Sequence, residues 1–184
     1  MALLAEEIVE EWLNRQGYFT IRGIKIGVQE IDMLAVRFEV DNSPECRHIE
    51  VQASMRPVSF ISRVPKELQK NGRAANSAKR SIEELEKGVH EWVEKKFRRK
   101  DKIALMNKLW NAKWSSELVL NNVKSQDEVN LIKSHGIKIL WLKDIIAALS
   151  RDTFLVSSAG GADFVDLIQS GASSVKNGIE KDNS

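Results

Sequence analysis

The chain has 184 residues, 42% of them hydrophobic and 29% charged, with a net charge of +2, which fits one folded domain and points to no partner by charge alone. A single cysteine, Cys46, excludes an internal disulfide framework, and with only three scattered histidines (His48, His90, His135) a structural zinc site is not expected. No apolar stretch is long enough to span a membrane, and the N-terminus lacks the basic region of a signal peptide, so a cytoplasmic location is expected.

Residues 3–16 predict an amphipathic helix closed by Gly17, and Tyr18 to Ile26 alternates as a strand. Two more strands, at about 30–40 and 46–54, flank the turn formers Asp41-Asn42-Ser43-Pro44 and make a hairpin, with Pro57 ending the pattern. From 64 to 114 the character is helical. Pro65 suits a helix start, Gly72 a break, and Ile82, Leu85, Val89, Trp92, Val93 and Phe97 recur at helical spacing, continued by Ile103, Met106, Leu109 and Trp110. Then come a strand at 117–123, a helix at 126–134 with Ser125 and Glu128 as a capping box, a stop at Gly136, a strand at 137–142 and a helix at 143–150. A short strand–helix–strand unit implies a parallel pair with a right-handed crossover. One more helix is expected at 162–169 and a polar, disordered tail over 171–184. The chain therefore reads as one α/β domain over 1–170, built on a central mixed sheet, with a helical insertion at about 64–114.

Chemistry concentrates in the hairpin. Glu30-Ile31-Asp32-Met33-Leu34-Ala35-Val36 and His48-Ile49-Glu50-Val51-Gln52 each carry carboxylates inside a run that otherwise heads for the core. Strand alternation puts Asp32 on the face of Glu30 and Leu34, and Glu50 on that of His48 and Gln52. Pairing the strands lets Asp32 approach Glu50. Two buried carboxylates so placed take up a proton unless a cation sits between them. His48 shares the Glu50 face, but a lone histidine assigns no role.

In their order, Asp32 on strand two and Glu50-Val51-Gln52 on strand three resemble the PD-(D/E)XK nuclease superfamily, whose motif is Asp, a hairpin, then Glu-x-Lys. The likeness covers roughly residues 5–150 by element order. Glu6 on the first helix, followed by Gly17, resembles the archaeal Holliday-junction resolvases, with Glu10 the alternative on the same helix face. The resemblance implies a restriction-endonuclease-like fold and a Mg²⁺- or Mn²⁺-dependent DNA endonuclease that hydrolyses phosphodiester bonds. Asp32 and Glu50 would be metal ligands with the Val51 carbonyl, Gln52 would position the water, and Glu6 would support the site. Gln52 departs from the family lysine and carries no charge. A slow enzyme, a lysine supplied by Lys66 or Lys70, and a nuclease fold kept without catalysis all remain open.

The basic residues Arg56, Arg63, Lys66, Lys70 and Arg73 are opposed nearby only by Glu67, which suits a DNA backbone, although a solvated helix face has the same composition. A second basic run, Lys95 to Lys102, follows. Trp110 and Trp114 stand beside Lys108 and Lys113, spaced for core packing or for stacking on bases. Rival readings are a DNA-binding module without turnover and an assembly protein that uses the 64–114 helices. A homodimer is compatible with each.

Overall fold

The computed structural model describes residues 2–54 and 56–151. Helix α1 (Ala2–Arg15) is followed by β1 (Phe19–Ile26), β2 (Gln29–Phe38) and β3 (Pro44–Gln52), an antiparallel meander. The turn between β2 and β3 is fixed by Asp41, whose Oδ1 accepts hydrogen bonds from the Ser43 N–H at 2.9 Å and hydroxyl at 2.6 Å. Three helices come next: α2 (Lys66–Lys70), α3 (Ile82–Phe97) and α4 (Lys100–Leu109). Strand β4 (Trp114–Leu120), α5 (Gln126–Ser134), β5 (Lys138–Trp141) and α6 (Leu142–Arg151) complete the described chain.

The five strands lie in the order β1-β2-β3-β4-β5, with β4 parallel to β3 and β5 parallel to β4. The architecture is α/β on a mixed sheet, as the pattern predicts. Ala5, Ile8, Val9 and Leu13 of α1 join Met33, Ala35, Ile49 and Val51 on one face, and Leu142, Ile145 and Leu149 of α6 cover the rest of it. On the other face Val89, Val93 and Phe97 of α3 pack with Leu118, Leu120 and with Val129 and Ile132 of α5. A third group, Ile31, Leu34 and Met106, seats α4 under the hairpin. Because β3 is buried on both faces from Cys46 through Val51, any charge on it must find a partner inside the protein.

Several boundaries differ from the sequence reading. Strand β4 starts at Trp114, inside the predicted 64–114 helical region, because Trp114 opens the parallel ladder opposite Cys46. It stops at Leu120, and Val123 makes only an isolated bridge to Val58. The hairpin strands end two residues earlier than expected. Ser125 does cap α5 by accepting the Glu128 N–H, but the Glu128 side chain does not return to the cap. That carboxylate is fully buried and accepts hydrogen bonds from the Ile61 N–H, the Ser62 N–H and the Ser62 hydroxyl. A reciprocal capping box occurs instead at Ser81 and Glu84 of α3. The helix expected at 162–169 and the tail at 171–184 lie outside the described residues.

One irregularity positions the site. In β2, Met33 and Ala35 face α1 while Ile31 belongs to the group under α4, so strict alternation breaks at Asp32. Opposite, the ladder to β1 passes from Arg22↔Met33 to Ile24↔Ile31, and the skipped partner is Gly23 at φ +67. A residue with a Cβ is strained in that conformation, so glycine lets the hairpin turn over at this point.

Candidate functional site

The ladder between β2 and β3 ends at Met33↔Ile49, and Asp32 and Glu50 are the next residues of the parting strands. Asp32 remains tied to β3 through its Oδ2, which accepts the Val51 N–H at 2.8 Å. In a strand the N–H and C=O of one residue point to the same side, so the Val51 carbonyl also faces the Asp32 side. The structure thus brings together Asp32, Glu50 and Val51 as the pairing of the two runs requires. Glu6 on α1 and Glu30 belong to the same electrostatic neighbourhood, since Glu6 acts on Asp32 and is itself influenced by Glu30 and by Lys96. Glu10 is directed elsewhere, to the Thr20 hydroxyl and Arg22 on β1.

The carboxylates have opposite environments. Burial and the charge of Glu50 push the Asp32 carboxyl up from 3.8 to about 6, against a smaller pull from Lys96 and the Val51 N–H. For Glu50 burial also opposes the charge, but the His48 hydrogen bond and the ammonium groups of Lys96 and Lys102 outweigh it and hold the carboxyl near 2. The Glu50 Oε1 lies 2.6 Å from Lys102 Nζ and 3.2 Å from His48 Nε2, and its Oε2 lies 2.5 Å from Lys96 Nζ. Burial keeps His48 below the ordinary histidine range in spite of Glu50, so the ring is neutral at pH 7 and donates from Nε2. Glu6 is raised, chiefly by burial and partly offset by Arg22.

Positive charge beside the acids therefore comes from two lysines that the sequence reading did not single out. Lys66 and Lys70, the expected replacements for the family lysine, do not reach Glu50. Lys96 and Lys102 sat unremarked in the second basic run, yet each falls on a buried helical stripe. Lys96 is three residues beyond Val93 and seven beyond Val89, and Lys102 is four before Met106. A lysine in register with core positions is the signal of a buried acid opposite.

Above Lys96 lies a cleft of about 320 Å³ lined by Gln52, Ile61, Arg63, Lys66, Trp92, Lys95 and Lys96, among others. Gln52 thus stands beside Lys96 at the cleft. Of the predicted DNA-contacting residues, Arg63 and Lys66 line it. Arg56 and Lys70 are exposed but lie outside the lining, and Arg73 is turned toward the Lys79 carbonyl and Glu84, in a separate hollow. The wall carrying Arg63 is pressed closely onto α3, where a Cβ on Gly88 would meet the Arg63 carbonyl oxygen at 2.5 Å. Trp110 and Trp114 are remote from this chemistry. Trp114 pairs with Cys46 at the opposite end of β3, and Trp110 rests edge-on against Phe38.

No family model matches this chain. No curated protein matches it either. Among solved structures it is similar to the crystal structure of a protein of unknown function, AF1548, at 14% identity and a TM-score of 0.45, over 80% of this chain and 65% of that one. The chain spans just under two thirds of that neighbour, and so distant a likeness carries nothing about the site.

The donor set suits a hard divalent cation in part. Asp32 is a carboxylate that gains from a nearby positive charge, and the Val51 carbonyl faces its side. Glu50 uses three of its four lone-pair directions on His48, Lys102 and Lys96, so a metal reaches it through the remaining one or by displacing Lys96 from Oε2. Among the described residues no three His, Cys, Asp or Glu side chains gather as ligands. None of the described helices is long and apolar enough to cross a membrane.

Proposed function

We propose that this chain hydrolyses phosphodiester bonds in DNA with Mg²⁺ or Mn²⁺, as the PD-(D/E)XK nucleases that it resembles do. The observation that carries this reading is the meeting of Asp32 and Glu50 where β2 and β3 part, beside a cleft walled by Arg63, Lys66, Lys95 and Lys96. A restriction-endonuclease-like fold is compatible with the helix, the antiparallel meander and the parallel strand–helix–strand that follows the helices. Asp32, Glu50 and the Val51 carbonyl would hold the cation, which when bound neutralises phosphate charge and makes a water more acidic.

Lys96 carries the charge that Gln52 lacks, at a position where it faces both acids and the cleft. The Gln52 amide orients the attacking water through hydrogen bonds. Arg63 and Lys66 hold flanking phosphates, and such contacts fix register without reading sequence. Glu6 adds negative charge beside Asp32 and strengthens the pull on a cation.

A DNA-binding module without turnover is favoured by one observation, the occupation of both Glu50 oxygens by ammonium groups. The assembly reading has less surface than the spacing suggests: Leu85, Val89, Val93 and Phe97 of α3 and Met106 of α4 are buried, while Ile82, Ile103 and Leu109 stay exposed. Incubation with supercoiled, linear and branched DNA, with Mg²⁺, Mn²⁺ or chelator, separates the readings when Asp32→Ala runs alongside. Cleavage that needs metal and vanishes in the variant is the expected result. Salt-sensitive binding with no cleavage under any metal overturns the enzyme and leaves the module.

A further inference from the structure

We propose that Lys96 is a releasable lock on Glu50, while Lys102 is its permanent counter-charge, so that phosphate and cation enter the site together. This rests on reading Asp32 and Glu50 as a cation site.

Glu50 offers its two oxygens to different surroundings. Oε1 faces the interior and takes Lys102 at 2.6 Å and His48 at 3.2 Å, both fully buried. Oε2 takes Lys96 at 2.5 Å. The two lysines are not equivalent. The Lys102 side chain is 1% exposed, and its Nζ is held at a second point by the Lys96 carbonyl oxygen at 2.9 Å. The Lys96 side chain is 29% exposed and lines the cleft with Gln52, Arg63 and Lys66. Among the described residues its ammonium makes one hydrogen bond, to Glu50, and two donors are left for phosphate oxygens. The side chain hangs from the last turn of α3 and can change rotamer with the helix fixed.

Charge explains why the two ligands are coupled. With Asp32 and Glu50 ionised, the two acids and two lysines sum to zero. A divalent cation arriving alone meets two ammonium groups and finds Oε2 covered. A phosphate arriving alone meets two carboxylates. When both arrive, the phosphate draws Lys96 into the cleft, and Oε2 becomes free for the cation. Lys102 and His48 keep Glu50 anionic and in place throughout. Each ligand then raises the affinity for the other by the same factor.

The test is calorimetric titration of Mn²⁺ into the full chain without nucleic acid, for the wild type, Lys96→Met and Lys96→Arg at equal ionic strength. Binding of a short fluorescent DNA duplex is measured in parallel in chelator. Lys96→Met should bind Mn²⁺ about tenfold more tightly or better, because Oε2 is uncovered and one neighbouring positive charge is gone, while duplex affinity falls several-fold. Lys96→Arg should bind Mn²⁺ as weakly as the wild type, because a guanidinium still covers Oε2. Equal or weaker Mn²⁺ binding in Lys96→Met overturns the lock and leaves the cation site standing. Absence of Mn²⁺ binding in every variant overturns the cation site and the lock with it. If Lys96→Met fails to fold by circular dichroism, Lys96→Gln carries the same expectation.

Discussion

Replacing Asp32 by asparagine should make the protein more stable at neutral pH. Asp32 is held at about 6 in the folded chain against 3.8 ordinarily, so the ionised carboxylate is worse off folded than unfolded. At about 1.4 kcal/mol per pH unit this weighs about 3 kcal/mol against the native state, an upper bound for a group that water partly reaches. The native state binds the extra proton between the two values, so stability falls as pH rises from about 4 through about 6. Asparagine removes the charge, and its amide oxygen can still accept the Val51 N–H. A net gain of about 1–2 kcal/mol is expected near pH 7.5, which raises the unfolding temperature by about 2–8 °C in a domain of this size. Near pH 3 the gain should shrink to almost nothing, because Asp32 is then protonated when folded and largely so when unfolded. Mg²⁺ in enough excess to fill the locked site should stabilise the wild type and not the variant, since a ligand that binds only the native state adds to its stability. Calorimetry or urea unfolding at both pH values reads all of this. An Asp32→Asn variant that is less stable at neutral pH, or whose gain is the same at both pH values, refutes the assignment of strain to the Asp32 charge.

Glu50 should show the opposite dependence. Its carboxyl is near 2 when folded against 4.5 ordinarily, so it contributes up to about 3 kcal/mol above pH 4.5, lost as pH falls toward 2. Glu50→Gln should flatten that limb of an acid-unfolding curve. Lys102→Met leaves Glu50 short of its buried partner and should cost about 3–5 kcal/mol in urea unfolding, whereas Lys96→Met costs much less because its head group reaches water. Gly88→Ala sets a methyl 2.5 Å from the Arg63 carbonyl oxygen, so a loss of about 1–3 kcal/mol is expected, with weaker duplex binding as the Arg63 wall shifts. Glu128→Ala strands two buried N–H groups of Ile61 and Ser62, and thermal unfolding should show a loss of about 2–4 kcal/mol.

The hairpin was legible because its cues are local. Asp41 to Pro44 marks a turn, and pairing the two runs across it makes Asp32 and Glu50 neighbours before any tertiary contact is known, whereas the break in alternation at Asp32 has no local cue beyond Gly23 on the facing strand. Gly17, Ser125 and Gly136 are readable for the same reason, being the ends of single elements. The lysine partners of Glu50 were hidden because nothing near it in the chain names them. Lys96 and Lys102 are far along the chain, in a basic run whose composition equally describes a wet helix surface. Only their registration with Val89, Val93 and Met106 separates them from Lys95 or Lys100. Glu128 misled for a related reason. Its spacing from Ser125 satisfies a local motif, but the buried N–H groups of Ile61 and Ser62 compete for the same carboxylate and win, since an unpaired buried donor costs more than an open helix cap.

The turn-over at Gly23 and Asp32 sets a bound on how far this hairpin can be idealised. A version with regular alternation, and any other residue in place of Gly23, would gain cross-strand pairing and raise β propensity. It would also carry Asp32 into an unbroken ladder, close the gap beside Val51, and leave Glu50 sealed under its lysines. Consensus-style stabilisation of β1 and β2 should therefore yield a sturdier protein in which, on the proposed reading, Asp32 no longer reaches a cation. The defect in the sheet is the doorway, and mending it shuts the room.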